Sequence, residues 1–201
     1  MSLPPPDLRP GVSATLAART AARAADEGIA DVAYATVDSP LGRLVAVQTP
    51  RGLARLAYEH ENGGLDEILD DVALRLSPAI VEAPGRLDLV RRELDEYFAG
   101  RRHDFDVNLD WSLSRDGFRR RVLEECARIP FGATRTYKDM AIAAGSPSAF
   151  RAAGGALGSN PIPIIVPCHR VLASSGGLGG YTGGLERKRL LLSIEGGLLP
   201  V

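Results

Sequence analysis

Ile164-Ile165-Val166-Pro167-Cys168-His169-Arg170-Val171 is the stretch from which the rest of the chain is read. An apolar run ends at a proline and delivers a cysteine with a histidine beside it. Asn160-Pro161-Ile162-Pro163 precedes the octet, and Ser174-Ser175-Gly176-Gly177-Leu178-Gly179-Gly180-Tyr181-Thr182-Gly183-Gly184 follows it. Proline restricts the approach and glycine loosens the exit, an arrangement suited to presenting a reactive side chain. A thiol is nucleophilic only as thiolate, so Cys168 needs a group that accepts its proton. On a regular strand Cys168 and His169 would point to opposite faces, so adjacency alone does not secure contact, and a water bridge between them is expected. A histidine acting as base has its second ring nitrogen held by a carboxylate or carbonyl. Glu186 and Glu195 are the only acids after Cys168; Glu195 follows a helical pattern at Leu185 to Ile194, just before Gly196-Gly197, where it can fold back on the site.

Upstream of the octet, Phe118, Val122, Leu123 and Cys126 form one stripe of an amphipathic helix, with Arg119, Arg120 and Arg121 off it. Cys126 lies on the apolar stripe and reads as a buried structural thiol. Pro130-Phe131-Gly132 breaks the chain, and Thr136 can cap a helix over Tyr137 to Ala144 that stops at Gly145. A second helix runs from Pro147 or Ser148 to about Leu157. Two short helices across a tight glycine turn have the shape of a helix-turn-helix. The second is small-sided, Ser148-Ala149-Phe150-Arg151-Ala152-Ala153-Gly154-Gly155-Ala156, and one arginine, Arg151, projects from it.

The first half reads differently. Val32 to Val37, Leu44 to Gln48 and Leu53 to Tyr58 are strand-like runs separated by Asp38-Ser39-Pro40-Leu41-Gly42 and Thr49-Pro50-Arg51-Gly52, the pattern of an antiparallel meander. Leu65, Ile68, Leu69, Val72 and Leu76, then Leu87, Val90, Leu94, Tyr97 and Phe98, recur at helical spacing; the two helices are expected to cover one face of the meander, with their acids solvated. Asp104 to Trp111 reads as a polar, partly extended connector. The expected organisation is a tail at 1–30, an α+β domain with its connector at 31–110, and a C-terminal domain at 111–201. The tail holds an Ala/Arg-rich helix candidate at 13–25, to which no chemistry is assigned.

Hydrophobic content of 45% and charged content of 24% are those of a globular protein. No apolar run approaches the ~18 residues of a membrane span, and the N-terminus has no secretory h-region, so neither a membrane nor an exported location is expected. Two cysteines, Cys126 and Cys168, fit free thiols in a reducing cytoplasm. The net charge of −1 conceals an asymmetry: residues 1–110 carry twelve arginines against nineteen acids, −7, and residues 111–201 carry twelve cations against six acids, +6. A basic half is what a local phosphate-binding surface looks like. The glycine loop has neither a dinucleotide-binding register nor a phosphate-loop ending, and His60, His103 and His169 are too scattered for a metal cluster.

Several separated motifs, in order and at matching spacing, carry a resemblance. From about Val32 to Gly196, and most strongly over Ile129 to Gly184, the chain resembles the O6-alkylguanine-DNA alkyltransferases: Pro167-Cys168-His169-Arg170-Val171 matches the family signature, Asn160-Pro161 precedes it and Tyr181-Thr182-Gly183-Gly184 follows. The resemblance implies an α+β N-terminal domain with a ribonuclease-H-like sheet and a helical C-terminal domain with a helix-turn-helix. It also implies single-turnover repair, in which an O6-alkylguanine, with O4-alkylthymine as a second substrate, is flipped from duplex DNA and its alkyl group moves to Cys168. By the same resemblance His169 takes the thiol proton through water, Glu195 orients His169, Tyr137 donates to the guanine ring, and Asn160 shapes the turn behind the cysteine. Tyr181, Thr182, Val171 and Pro163 line the base pocket. Arg151 fills the gap left by the base, and with Thr136, Ala152 and Gly155 it meets the DNA minor groove. No cofactor and no metal are implied, since the N-terminal half has no cysteine for the zinc that some relatives bind. The implied partner is double-stranded DNA, bound by a monomer with cooperative assembly on DNA left open, in the bacterial cytoplasm at the nucleoid. Leu123 stands where many members have tryptophan and Thr182 where some have serine; residues 1–30 have no counterpart. A lesion-binding regulator with an incidental cysteine and a thiol hydrolase using Cys168, His169 and Glu195 are the competing readings.

Overall fold

The protein is described by a computed structural model over residues 30–196. The helix candidate at 13–25 and Gly197 lie outside the described residues. Strands β1 (Val32–Val37), β2 (Leu44–Thr49) and β3 (Gly52–Tyr58) form the antiparallel meander that the turn residues predict. In the first turn the Gly42 N–H donates to the Ser39 carbonyl at 3.0 Å, the i to i+3 closure typical of such a sequence. A fourth strand, β4 (Ile80–Glu82), pairs parallel to β1, so the order is β3-β2-β1-β4 and the sheet is mixed rather than purely antiparallel.

Helices α1 (Leu65–Arg75) and α2 (Asp88–Phe98) occupy opposite faces of this sheet, not one face as the periodicity suggested. Side chains alternate along a strand, and here both sets are apolar. Val32, Val45, Val47 and Ala57 pack on Ile68 and Val72 of α1. Ala33, Ala35, Leu44, Ala46 and Leu56 pack on Val90, Leu94 and Tyr97 of α2, in the same core as the C-terminal helices. β2 is buried on both faces from Leu44 to Val47, as a central strand covered from both sides must be. Each large aliphatic side chain so buried contributes roughly 1.5–3 kcal/mol. The α2 face is therefore the inner one, and residues on it reach the C-terminal half.

Not every acid of these helices is solvated. Glu93 on α2 is fully buried; its Oε2 accepts from the Asp106 N–H at 2.9 Å and its Oε1 lies 3.4 Å from Arg102. The connector is likewise pinned rather than loose. Leu53 donates to the Asn108 carbonyl and accepts from the Asp110 N–H, both at 2.8 Å, so residues 108–110 lie along the free edge of β3. Gly52 sits at φ 141° with the Asn108 carbonyl where a Cβ would be, which leaves no room for a side chain.

The C-terminal part contains α3 (Phe118–Ala127), β5 (Arg135–Thr136), α4 (Tyr137–Ala143), α5 (Phe150–Gly158), β6 (Val171–Leu172) and α6 (Leu185–Ile194). β5 and β6 form a short parallel pair that ties the segment after the cysteine to the start of α4. Thr136 caps α4 in a reciprocal box: its hydroxyl accepts from the Asp139 N–H at 3.1 Å and its own N–H donates to Asp139 Oδ2 at 2.8 Å. α5 begins at Phe150, later than predicted, because Ser146 to Ala149 closes a turn first. Helices α3, α4 and α5 pack on one another; α5 turns Ala153, Ala156 and Leu157 inward and leaves Arg151, Ala152 and Gly155 exposed. Cys126 is fully buried on α3, and burial pushes its thiol pKa well up.

Candidate active site

The apolar run before the cysteine is a buried hairpin of chain, not a strand. Ile162, Ile164 and Val166 are fully buried, the Val166 N–H donates to the Ile162 carbonyl at 2.9 Å, and Ile164 is the one non-glycine residue with positive φ, 76°, among the described residues. A β-branched residue is strained there, and complete burial holds it in place. Asn160 clasps the bend: its Oδ1 accepts from the Ile162 N–H at 3.0 Å, and its Nδ2 donates to the Val166 carbonyl at 2.8 Å and toward Cys168 Sγ at 3.2 Å. Beyond Pro167 the chain makes one 3-10 turn, Cys168–Arg170, so Cys168 and His169 are not the opposed neighbours that a strand would make them. The Pro161 carbonyl accepts from the Leu56 N–H at 2.9 Å, which fastens this loop to the edge of β3.

Cys168 is only 6% exposed, so the sequence picture of an openly displayed thiol gives way to one reached through cavities. Burial raises its pKa; the Asn160 amide and the charge of Lys188 oppose this without cancelling it. At neutral pH the sulfur is a thiol awaiting a base. His169, fully buried, has its pKa lowered by desolvation, against the pull of Glu195, and is a neutral imidazole. Its Nε2 lies 2.8 Å from Glu195 Oε1. Burial alone would raise Glu195, but the hydrogen bonds and charges of His169 and Arg170 outweigh it and hold the carboxyl at about 2. An ionised carboxylate only accepts, so Nε2 carries the ring proton and Nδ1 has the lone pair; Nδ1 is buried without a partner among the described residues.

Three residues that sequence reasoning left out complete this cluster. Arg170 grips Glu195 through Nε and Nη2, both at 2.8 Å, and also donates to the Ile129 carbonyl. Tyr97, from α2, donates to Glu195 Oε1 at 2.7 Å. Lys188 on α6 is fully buried; it donates to the carbonyls of Val171 and Leu178, both at 2.6 Å, and burial brings its pKa down to about 8. Its signal was available: Lys188 lies at helical spacing from Leu191 and Leu192, in an apolar stripe. Tyr97 was equally placed on the apolar stripe of α2.

Two cavities open on the sulfur. One, of about 440 Å³, is lined by Tyr137, Gly154, Leu157, Gly180 and Cys168. The other, about 250 Å³, passes Pro163 toward β3. Tyr181 and Thr182 line both. The Tyr181 hydroxyl is 2.8 Å from that of Tyr58, a residue of β3, and Thr182 Oγ1 donates to the Gly158 carbonyl at 2.7 Å. Tyr137 donates to the Gly180 carbonyl at 3.3 Å; a Cβ on Gly179, at φ 68°, would strike that phenol. Burial raises the Tyr137 pKa, so it stays a neutral donor. Val171 is fully buried and lines neither cavity, and the Thr136 hydroxyl is committed to its cap. Arg151 lies outside the cavities on the exposed face of α5, its guanidinium 5.5 Å from the Phe150 ring centre. No group of three or more potential metal-binding side chains comes together among the described residues.

Comparison with known proteins follows this division. Residues 32–111 match the ribonuclease-like domain, and residues 117–197 the DNA-binding domain, of 6-O-methylguanine DNA methyltransferase. A methylated-DNA–protein-cysteine methyltransferase of Mycobacterium tuberculosis is 40% identical over 167 residues, 83% of this chain and 94% of the relative. The constitutive Bacillus subtilis protein of that description is 37% identical, covering 81% and 94%. The crystal structure of the M. tuberculosis O6-methylguanine methyltransferase superposes with a TM-score of 0.70 over 82% of this chain and 92% of that one, and the structure of the M. tuberculosis protein in complex with DNA also gives 0.70, over 81% and 92%.

The carboxylate predicts a pH dependence. Glu195 has its folded pKa at about 2, below its ordinary 4.5, so its contribution to stability is complete above pH 4.5 and is lost as pH falls toward 2. In urea unfolding, the wild type is expected to lose stability across that window more steeply than Glu195→Gln, which starts lower. Parallel curves for the two proteins would separate Glu195 from acid unfolding.

Proposed function

Because this chain belongs to the 6-O-methylguanine DNA methyltransferase family, we propose that it repairs alkylated DNA by moving the alkyl group from O6 of guanine to Cys168, once per molecule. The observation that carries this is the cysteine itself: a buried thiol at the meeting of two cavities, with a carboxylate-held neutral imidazole next to it in the chain. The thiol proton passes to His169 Nδ1, by way of a water. The sulfur attacks the O6-alkyl carbon in line, the carbon–oxygen bond breaks, and its electron pair leaves on the base. Tyr137 stabilises the departing guanine from a ring nitrogen, a preorganised neutral donor where charge develops. The Arg170 clamp keeps Glu195 ionised throughout, so the imidazolium formed has its counter-charge in place.

A base inside a duplex does not reach a nearly buried sulfur, so the target nucleotide is flipped out, at a cost of a few kcal/mol that is least for a badly paired lesion. The larger cavity, between Tyr137 and Tyr181 and beneath α5, takes the base. The exposed Arg151, Ala152 and Gly155 surface of α5 supports close approach to the minor groove, with Arg151 filling the space that the base leaves. O4-alkylthymine, with the same alkyl–oxygen bond, is a second substrate. The protein acts as a monomer on double-stranded DNA in the cytoplasm, at the nucleoid; two free thiols support a reducing compartment.

Incubation with an O6-methylguanine duplex and mass analysis of the Cys168 peptide tests the reading. One added methyl on that peptide, ending at one equivalent, is expected. An unmodified Cys168 under tight binding would transfer the case to a lesion-binding protein, and repeated turnover of an ester or amide to a thiol hydrolase. For the surface of α5, Arg151→Ala is expected to slow repair of duplex DNA roughly tenfold or more, the loss of a group that offsets flipping, while leaving reaction with free O6-benzylguanine nearly unchanged. Equal losses on both substrates would remove Arg151 from that role.

A further inference from the structure

The smaller cavity at Cys168 does more than accommodate a methyl group. It begins at the sulfur between Pro163 and the ring of Tyr181, uncharged walls that leave room for an alkyl chain, and runs along the free edge of β3 into the N-terminal part. There its lining changes character, to Asn62, Arg55 and Arg75. Arg55 is an unusual residue for its place. It stands inside β3, opposite Val47, and its side chain is 15% exposed. One of its Nη atoms meets Asp71 Oδ2; its other donors have no partner among the described residues. The same carboxylate oxygen receives Arg75 Nη1 at 3.3 Å, and Arg75 Nη2 donates to the Leu113 carbonyl at 2.6 Å. Two guanidiniums thus share one carboxylate, and the far end of a cavity lined elsewhere by uncharged residues keeps a net positive charge. A poorly hydrated guanidinium with unused donors recognises carboxylates in particular.

We propose that this cavity is a subsite for O6-alkyl groups that end in a carboxylate, with Arg55 as the specificity-determining residue and Arg75 as its support. The proposal rests on the alkyl-transfer reading above. In the step, the bond formed joins Cys168 Sγ to the carbon on O6, and the bond broken is that carbon's bond to O6. Its electron pair leaves on guanine, which ends with the proton that the thiol gave up, and the distal carboxylate remains ionised throughout. Arg55 offsets the repulsion between that carboxylate and the sulfur as it becomes thiolate, an advantage that a neutral chain does not need.

Duplexes carrying O6-carboxyalkylguanine with one, two or three methylenes, each beside the carboxamide of the same length, test this in single-turnover rates. Each rate is divided by the same protein's rate on O6-methylguanine, which cancels any general damage from a substitution. At the best length the carboxylate-to-carboxamide ratio of the wild type is expected to exceed that of Arg55→Met by about tenfold, the scale of one charge-assisted hydrogen bond, with Arg55→Lys between them. Asp71 keeps Arg75 as partner in both variants. Equal ratios for the wild type and Arg55→Met at every length, with methyl transfer intact, would overturn the subsite and leave alkyl transfer standing. Absence of methyl transfer from the wild type would overturn both.

Discussion

A single buried carboxylate organises this molecule. Glu195 sits at the end of α6, and its two oxygens face His169, both arms of Arg170 and the phenol of Tyr97. An isolated charge in such a place is prohibitive; a carboxylate satisfied by a bidentate guanidinium and two further donors is not. The cluster draws on three parts of the chain: the cysteine turn supplies His169 and Arg170, the end of the last described helix supplies Glu195 itself, and the N-terminal α2 supplies Tyr97. The cluster therefore joins the two halves at the same point where it sets the chemistry. Removing any one partner leaves the others around an incompletely matched charge, so the site and the interface between the halves stand together.

The division of labour between the halves follows from this. The C-terminal part supplies the thiol, the imidazole and the exposed face of α5. The N-terminal part is more than a support, because Tyr97 reaches Glu195, Tyr58 meets the hydroxyl of Tyr181 above the sulfur, and β3 with Arg55 walls the cavity beyond it. Lys188, by holding the carbonyls of Val171 and Leu178, does for the glycine loop what Asn160 does for the bend before the cysteine: it gives a flexible stretch a fixed shape. The resting sulfur stays protonated because it is buried, and its activation is left to a base whose orientation is already fixed.

Much of this was legible in the residues. Turn residues placed the three-stranded meander, periodicity placed α1, α2 and α6 within a residue or two, and Thr136 marked the cap of α4, though not the reciprocal bond from Asp139. β4 escaped because three residues give no period, and its parallel partner is distant in sequence, a pairing no local pattern specifies. The opposite placement of α1 and α2 was hidden in β2, where Leu44 to Val47 are apolar without alternation and so do not say which face is inner. The charged residues were the hardest. Glu93, Arg170 and Lys188 look like surface in a composition, and only their partners, dozens of residues away or behind a turn, make burial tolerable. Likewise, nothing local revealed that Asn160 would reach back to the sulfur across the bend it closes.

The chemistry at Cys168 turns on the tautomer of His169. If Glu195 holds Nε2–H, then Nδ1 is the only ring nitrogen able to receive the thiol proton. With three histidines in the chain, ¹⁵N-labelled imidazole spectra can be assigned by substitution. At neutral pH a neutral ring protonated on Nε2, with Nδ1 bare, is expected. A ring protonated on Nδ1, or an imidazolium in the resting protein, would contradict it.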